Sequence, residues 1–191
     1  MANLKLNNVT AISESGGAIT VPALGTVTSG DLSNTALVFP TGHVLQVIQG
    51  TPNTTNYSSN SLTEVVCTNW TATINKSISG SSIFASWHCT YQIYQGNTTT
   101  AAELYIDFDR TAPSSSTGIN QQYSYIADEG GDTYHNIYTG HSGSFVDTSS
   151  ATGNHTYIAH IRGGFSGNAT PTGAIKGTLG ESTLVLMEVV T

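Results

Sequence analysis

Charged residues are scarce in this chain of 191 residues. Aspartate, glutamate, lysine and arginine make up 9% of it, whereas soluble proteins contain roughly 25%. Lysine and arginine together number 5, and the formal net charge is -7. These cations are scattered, at Lys5, Lys76, Arg110, Arg162 and Lys176. Because nucleic acids and anionic membranes are bound by clustered cations, we expect neither as a partner.

Cysteines and long apolar runs are also few. The 2 cysteines, Cys67 and Cys89, are too few for a disulfide scaffold, and no C-x-x-C motif suggests zinc. No stretch approaches the roughly 20 apolar residues that a transmembrane helix needs. Because the stretch from Met1 to Asn7 contains no apolar h-region, we expect no secretory signal peptide and synthesis in a cytoplasm.

Serine, threonine, asparagine and glycine separate short runs in which apolar and polar residues alternate. The longest strict alternation carries apolar residues at Ile83, Ala85, Trp87, Cys89, Tyr91 and Ile93. This period of two predicts a strand with one buried face. Other runs repeat the same period, and no helical period is sustained. We therefore expect roughly eight to ten strands in an all-β, antiparallel β-sandwich that is jelly-roll-like.

The segment Phe39-Pro40-Thr41-Gly42 predicts a turn, since proline fixes φ and glycine accepts a positive φ. A strand is expected from His43 to Gln49. The chain is accordingly divided into an extended N-terminal attachment arm, residues 1–42, and a β-sandwich head, residues 43–191.

The arm is polar and thin, with short strands predicted only at Leu4-Lys5-Leu6 and Ile19-Thr20-Val21. A segment of this kind cannot cover its own apolar residues, which must therefore pack on another surface. The predicted anchoring residues are Leu4, Leu6, Val9, Ile12, Ile19 and Val21.

Two runs of alternating apolar and polar residues, one on each side of Ser79-Gly80, predict a hairpin that turns at these two residues. Pairing their inward faces sets Ala72 opposite Ala85. In that register Cys67 lies on the opposite face from Cys89. We therefore predict two free thiols, with Cys89 buried in the core.

Three acids, Glu103, Asp107 and Asp109, share one face of a predicted strand. Paired carboxylates could perform the acid–base chemistry of a glycan hydrolase. Phe108 is expected to face the core, however, which leaves the acids on the solvent face. No metal-ligand spacing joins the histidines, and no P-loop, dinucleotide fingerprint or G-x-S-x-G motif occurs. We predict no enzyme, with no catalytic residue, metal ligand or cofactor.

Tyrosines and the last strand supply the remaining candidate sites. Tyrosine rings can stack on sugars, and they equally fill cores and interfaces. The possible glycan-binding residues are Tyr123, Tyr125, Tyr134, Tyr138 and Tyr157. The final strand is apolar on both faces, which is typical of a central strand or a subunit interface. Its candidate oligomer-interface residues are Leu184, Leu186, Met187 and Val190.

Three stretches carry a family resemblance. They are Met1-Ala2-Asn3-Leu4-Lys5-Leu6-Asn7-Asn8-Val9, Val38-Phe39-Pro40-Thr41-Gly42-His43-Val44-Leu45-Gln46-Val47 and Ser182-Thr183-Leu184-Val185-Leu186-Met187-Glu188-Val189. These resemble a group of tailed-phage virion proteins, common in marine and cyanobacterial phages and usually labelled tail fibre-like or structural. Members carry a short N-terminal attachment segment and a C-terminal β-sandwich head, and the resemblance transfers no catalytic residue.

The resemblance implies a location in the virion, after assembly in the host cytoplasm. A tail fibre normally has a long β-helical or coiled-coil shaft, and this sequence has none. The expected function is therefore that of a trimeric capsid decoration protein, of the cement or head-fibre type. Its expected partner is the major capsid protein or another virion protein. The alternative is a receptor-binding tail fibre or spike tip that recognises host surface glycans.

Overall fold

The computed structural model describes the backbone of residues 2–6, 9–15, 18–21, 25–28, 40–61, 63–95, 99–113, 116–127, 135–167 and 172–191. Side chains are described from residue 40 onward, apart from 62, 95–102, 114–116, 123, 125–135 and 164–172. Every regular element within these ranges is a β-strand, which confirms the all-β prediction. None of the described segments is a helix that could cross a membrane.

The chain divides into two compact units, Met1–His43 and Val44–Thr191. In the described part of the first unit, four short strands pair in chain order to form an antiparallel sheet. They are β1 (Ala2–Leu6), β2 (Val9–Ser15), β3 (Ala18–Val21) and β4 (Gly25–Thr28). This unit contains more strand than the two short segments that the sequence predicted. Its function as an attachment arm stays a prediction.

The predicted turn at Pro40 to Gly42 is present, since the His43 N–H donates to the Pro40 carbonyl over 3.0 Å and Gly42 has a φ of 84°. The strands that follow are β5 (Val44–Gln49), β6 (Asn56–Ser59), β7 (Val65–Lys76), β8 (Ser81–Gln95), β9 (Thr99–Ala112), β10 (Ser116–Ala127), β11 (His135–Asp147), β12 (Gly153–Gly167), β13 (Thr172–Lys176) and β14 (Thr183–Val190).

The described strands of the second unit form two antiparallel sheets. The four-stranded sheet has the order β10-β9-β12-β7, and the six-stranded sheet has the order β5-β14-β8-β13-β6, with β11 on the other edge of β8. Strands β13 and β14 pair with successive parts of one edge of β8. On their other edges, β13 pairs with β6 and β14 pairs with β5. If β13 and β14 are counted as one interrupted strand, and β5 and β6 as another, the strand order is that of the two Greek keys of a jelly roll. The predicted jelly-roll-like sandwich is confirmed.

Aromatic side chains from both sheets fill the core between them. Trp70 and Phe108 come from the four-stranded sheet, with ring centroids 5.2 Å apart in an edge-to-face arrangement. Trp87 comes from the six-stranded sheet and lies 5.9 Å from Trp70 and 5.6 Å from Phe108. Both indole N–H groups are satisfied, by the Thr183 carbonyl and by the Asn120 side chain. Burial of such rings supplies a large part of the hydrophobic free energy of folding.

The predicted β7–β8 hairpin is wrong. Ala72 pairs with Tyr157 of β12, and Ala85 pairs with Phe145 of β11 and Leu186 of β14. The connection around Ser79-Gly80 therefore crosses from one sheet to the other. Both strands do bury the predicted faces, but they face each other across the core. Period-two alternation identifies the buried face of a strand and leaves its pairing partner undetermined.

The predicted orientation of Cys67 is also wrong, because β7 contains a bulge. As β12 advances one residue from Ile158 to Ala159, its partner in β7 moves from Thr71 to Cys67. The irregularity returns Cys67 to the inward face, as a bulge allows. Cys67 and Cys89 are both free, and both are fully buried in the core.

Burial makes both thiols unreactive. It raises the pKa of Cys89 to about 12, and it raises the pKa of Cys67 further, with the nearby Cys89 sulfur acting in the same direction. Because the thiolate is the nucleophile, we expect neither cysteine of the native protein to react with a disulfide reagent at pH 8, while both react in urea. Immediate native reaction, or a linked Cys67–Cys89 peptide in non-reducing mass spectrometry, would contradict this expectation.

A buried carboxylate attaches the last strand to the β7–β8 connection. Glu188 is fully buried and accepts hydrogen bonds from the Ser77 N–H and hydroxyl, the Ile78 N–H, the Ser81 hydroxyl and the Gln46 amide, over 2.6–3.1 Å. Burial alone would raise the pKa of Glu188, but these donors hold it below its ordinary value. The ionised form is therefore the one that the fold stabilises.

Replacing this carboxylate should destabilise the fold in a pH-dependent way. A lowered native pKa contributes stability above the unfolded-state pKa, which is lost as the pH falls through the native one. At pH 7 we expect Glu188→Gln to lose about 2–4 kcal/mol, since hydrogen bonds to charged groups are each worth about 1.5–3 kcal/mol. Urea unfolding should show the difference from wild type shrinking as the pH falls below about 4.3, the ordinary glutamate pKa, and on through the native one. Glu181→Gln, at an exposed position, is the control, and an equal deficit at pH 7 and at about pH 3 would refute the mechanism.

Candidate functional site

Polar and charged side chains collect on the outer face of the four-stranded sheet. In β9 the residues Leu104, Ile106 and Phe108 are buried in the core, so the alternate residues face away from it. Those residues are Glu103, Tyr105, Asp107 and Asp109. The three acids therefore share one face of β9, as their spacing in the sequence predicts.

His160 of β12 lies between two carboxylates. Its Nδ1 is 3.5 Å from Oε2 of Glu64, and its Nε2 is 3.6 Å from Oδ2 of Asp109. Both separations exceed the 2.7–3.2 Å of an ordinary hydrogen bond. Asp109 is held in place by its other oxygen, which accepts the Gly118 N–H over 2.6 Å. One atom from each of these three residues lies within 4.8 Å of the other two.

Asp107 adjoins this group and differs from the expected solvent-exposed acid. It pairs with His160 across β9 and β12, and only 3% of its surface is exposed. Its Oδ2 lies 3.4 Å from Nε of Arg162, whose guanidinium stacks 4.7 Å above the Tyr105 ring. Arg162 therefore joins Asp107 to Tyr105, as an ion-pair partner of the first and a stacking partner of the second.

The electrostatics of this cluster are unbalanced. Burial raises the pKa of Asp107, and the charges of Glu64 and Asp109 act in the same direction, while Arg162 and Gln121 oppose them. Three carboxylates thus share the cluster with a single guanidinium. Gln121 acts on Asp107 as a side-chain hydrogen-bond donor, whereas Nδ1 of His160 has no hydrogen-bond partner among the described residues. An arrangement of this kind can attract a cation.

The structure gives the predicted tyrosines different environments. Tyr157 is fully buried, and its hydroxyl donates to Asp147 over 2.8 Å, so its ring is not available to a sugar. Tyr138 is half-exposed on β11, and its hydroxyl accepts from the Gln92 amide. Tyr123 and Tyr125 lie on β10, with side chains outside the described set. Tyr134 lies outside the described residues.

The predicted interface residues divide between the core and the surface. Leu184 and Leu186 are buried in the core of this chain, which already uses them. Met187 and Val190 are half-buried. The predicted anchoring residues of the first unit lie on β1, β2 and β3, and their side chains are outside the described set. Glycan binding, anchoring and oligomer contacts stay predictions.

Sequence reasoning missed Glu64, His160 and Arg162 as neighbours of the acids. They lie on β12 and immediately before β7, far from β9 in sequence. The alternation in Thr156 to Arg162 could have placed His160 and Arg162 on an outer face. Only the register of β12 with β9 sets His160 beside Asp107.

No protein-family model matches the chain, and no curated protein matches its sequence significantly. Similar solved structures include VP2 of infectious bursal disease virus in a subviral particle, at 16% identity and a TM-score of 0.37, over 91% of this chain and 47% of that one. The Gt strain of the virus gives 15% identity and a TM-score of 0.35, over 91% and 47%. The protein of the T13 viral particle is 15% identical, with a TM-score of 0.34, over 91% of this chain and 44% of that one. The chain thus spans less than half of each. Likenesses of this size imply nothing about function, and the fold assignment rests on the strand order.

Proposed function

We propose that this chain is a non-enzymatic structural protein of a virion, most specifically a homotrimeric decoration protein on the capsid shell. The observation that carries the proposal is an apolar row across the outer face of the six-stranded sheet. The row consists of Val47, Met187, Phe84 and Val146, on the adjacent strands β5, β14, β8 and β11.

The register makes this row continuous. Val47 pairs with Met187, Met187 with Phe84, and Phe84 with Val146. Four strands at the usual spacing of about 4.8 Å give a row about 14 Å long. Val47 is 55% exposed and Val146 is 54% exposed. Met187 and Phe84 between them are half-buried, and a continuous apolar row that is partly exposed is a candidate contact surface for another protein.

The core does not require these side chains. Ile83, Ala85 and Leu186, which neighbour the row along the strands, are fully buried on the opposite face. The row therefore offers its apolar area to a partner, and burial there would contribute to association. A second copy of the chain and the capsid shell are the two partners that the proposal names.

The jelly-roll fold is used by viral capsid proteins and by lectins. Fold alone does not determine function, but both uses fit a virion surface protein. The charge-poor, polar composition and the resemblance of both chain ends to tailed-phage virion proteins support the same location. The small N-terminal unit is the proposed attachment segment, and the jelly roll is the proposed head.

A receptor-binding fibre or spike tip is the alternative. Tyr138 favours it, since the residue is 49% exposed and its hydroxyl is hydrogen-bonded to Gln92. A fixed, exposed ring on a strand is suited to stacking on a sugar. Cryo-electron microscopy of virions separates the two functions, because decoration places the protein on the shell and receptor binding places it on the tail.

Charges in the apolar row should abolish self-association. We expect the full-length wild type to be a trimer at micromolar concentration by multi-angle light scattering, and Val47→Asp/Val146→Asp to be a monomer of unchanged circular dichroism. Leu179→Asp, in the β13–β14 loop at 64% exposure, is the matched control and should remain trimeric. A monomeric wild type, or a trimeric double variant, would contradict this function for the row.

Removal of residues 1–38 should separate attachment from folding. The second unit contains the complete sandwich core, so the truncated head should keep a cooperative urea transition. It should no longer bind capsids that lack the protein, in a co-sedimentation assay in which the full-length chain saturates them. Saturation by the truncated head would show that attachment does not need the N-terminal unit.

A further inference from the structure

A cleft of about 420 Å³ opens on the surface where the connection between β5 and β6 faces β7. One wall comes from the connection, between Thr51 and Thr55, and the other from Thr68, Asn69 and Thr71 of β7. Sites for small molecules have volumes of about 300–1,000 Å³, so the cleft is large enough for a small ligand. It shares no residue with the apolar row or with the cluster around His160.

The bulge in β7 supplies one wall of the cleft. The register of β7 with β12 passes from Thr71 directly to Cys67, so Thr68, Asn69 and Trp70 have no partner in β12. Trp70 is buried in the core, whereas Thr68 and Asn69 are exposed. A bulge can re-aim side chains in this way, and bulges are frequent next to functional sites.

Hydrogen bonds and close packing fix the opposite wall. Asn53 is fully buried and exchanges backbone hydrogen bonds with Ser182 over 2.8 and 3.0 Å. Its side chain donates to the Thr55 carbonyl and accepts from the Thr55 N–H, each over 3.0 Å. Gly50 lies so close to β7 that an added Cβ would be 2.6 Å from the Thr71 carbonyl oxygen. The wall is therefore pre-organised, which lowers the cost of binding a ligand.

Direct hydrogen bonds join the two walls. Nδ2 of Asn69 donates to Oγ1 of Thr55 over 2.9 Å, and the Asn69 N–H donates to the Tyr57 hydroxyl over 2.8 Å. These contacts leave Oδ1 of Asn69 without a hydrogen-bond partner among the described residues, and the same is true of the Thr51 and Thr54 hydroxyls. The cleft thus presents polar atoms that a ligand can use.

The chemistry of the lining selects a neutral ligand that is rich in hydroxyl groups. None of the described residues that line the cleft is charged, so an ionic ligand would lose hydration there without gaining an ion pair. Each threonine presents a methyl group beside a hydroxyl that both donates and accepts, and Pro52 adds apolar surface. A sugar ring combines C–H groups and hydroxyls in the same way.

We propose that this cleft is a binding site for a neutral sugar, as a mono- or disaccharide unit of a carbohydrate. The Thr51 and Thr54 hydroxyls and Oδ1 of Asn69 hydrogen-bond the hydroxyls of the sugar, and Pro52 packs against its C–H groups. The site is separate from Tyr138 on β11. It is also independent of the proposed position on the shell or the tail, and of self-association through the apolar row.

Binding is tested by titrating the full-length protein with maltose, cellobiose and lactose in separate calorimetric experiments. We expect at least one of these neutral sugars to saturate one site per chain, with a Kd in the millimolar range, since an open cleft supplies few hydrogen bonds. The anionic sugar N-acetylneuraminic acid should not bind, because the described lining offers it no cation.

Substitutions that remove hydroxyls assign the site. Thr51→Val/Thr54→Val changes two exposed side chains and keeps their size, so we expect the urea transition of the wild type. The double variant should bind the sugar about tenfold or more weakly, since it loses two hydrogen bonds to the ligand. Thr139→Val/Thr148→Val, at two exposed threonines outside the cleft, is the matched control and should bind as the wild type does.

Three results would overturn the proposal. The first is the absence of saturable binding of all three neutral sugars up to tens of millimolar. The second is undiminished binding by Thr51→Val/Thr54→Val. The third is loss of binding in Tyr138→Ala with the cleft intact, which would place the sugar on β11. None of these results bears on the trimer, which light scattering tests separately.

Discussion

Aromatic packing between the two sheets is the constraint on which the rest of the jelly roll depends. Trp70 and Phe108 meet Trp87 across the core, and Phe145 packs against Phe108 at 5.6 Å. These rings come from β7, β9, β8 and β11, so the cluster fixes how the sheets face each other. Interiors are packed at crystal-like density, and the strands around the rings therefore have little freedom to shift register. The positions of the side chains on both outer faces of the sandwich therefore depend on this core.

Buried charges determine how the ends of the strands are arranged. Asp147 accepts hydrogen bonds from Arg110 and from the Tyr157 hydroxyl, which joins β11 to β9 and β12. Glu188 in turn attaches β14 to the connection between β7 and β8. Several of the few charged residues of this chain are thus buried inside the fold. Removing one partner of a buried charge is strongly destabilising, because the remaining charge is left uncompensated.

The two outer faces differ in chemistry, and this difference guides the functional proposals. The six-stranded sheet presents an apolar row, which suits contact with a second protein surface. The four-stranded sheet presents a polar cluster, in which His160 lies between Glu64 and Asp109 and Arg162 pairs with the buried Asp107. The two features lie on opposite sides of the sandwich and need not interfere with each other.

The sequence by itself determined the fold class, the turn at Pro40 to Gly42, and the buried face of β8. It did so because side chains alternate between the two faces of any strand, so apolar periodicity is visible without knowing the neighbours. The presence of three acids on one face of β9 followed from the same period. Pairing was decided only by the tertiary structure, and the predicted hairpin failed on this point. The inward turn of Cys67 depends on a bulge that leaves no signal in the alternation. The apolar row and the His160 cluster likewise exist only through register, because each joins residues of strands that are distant in sequence.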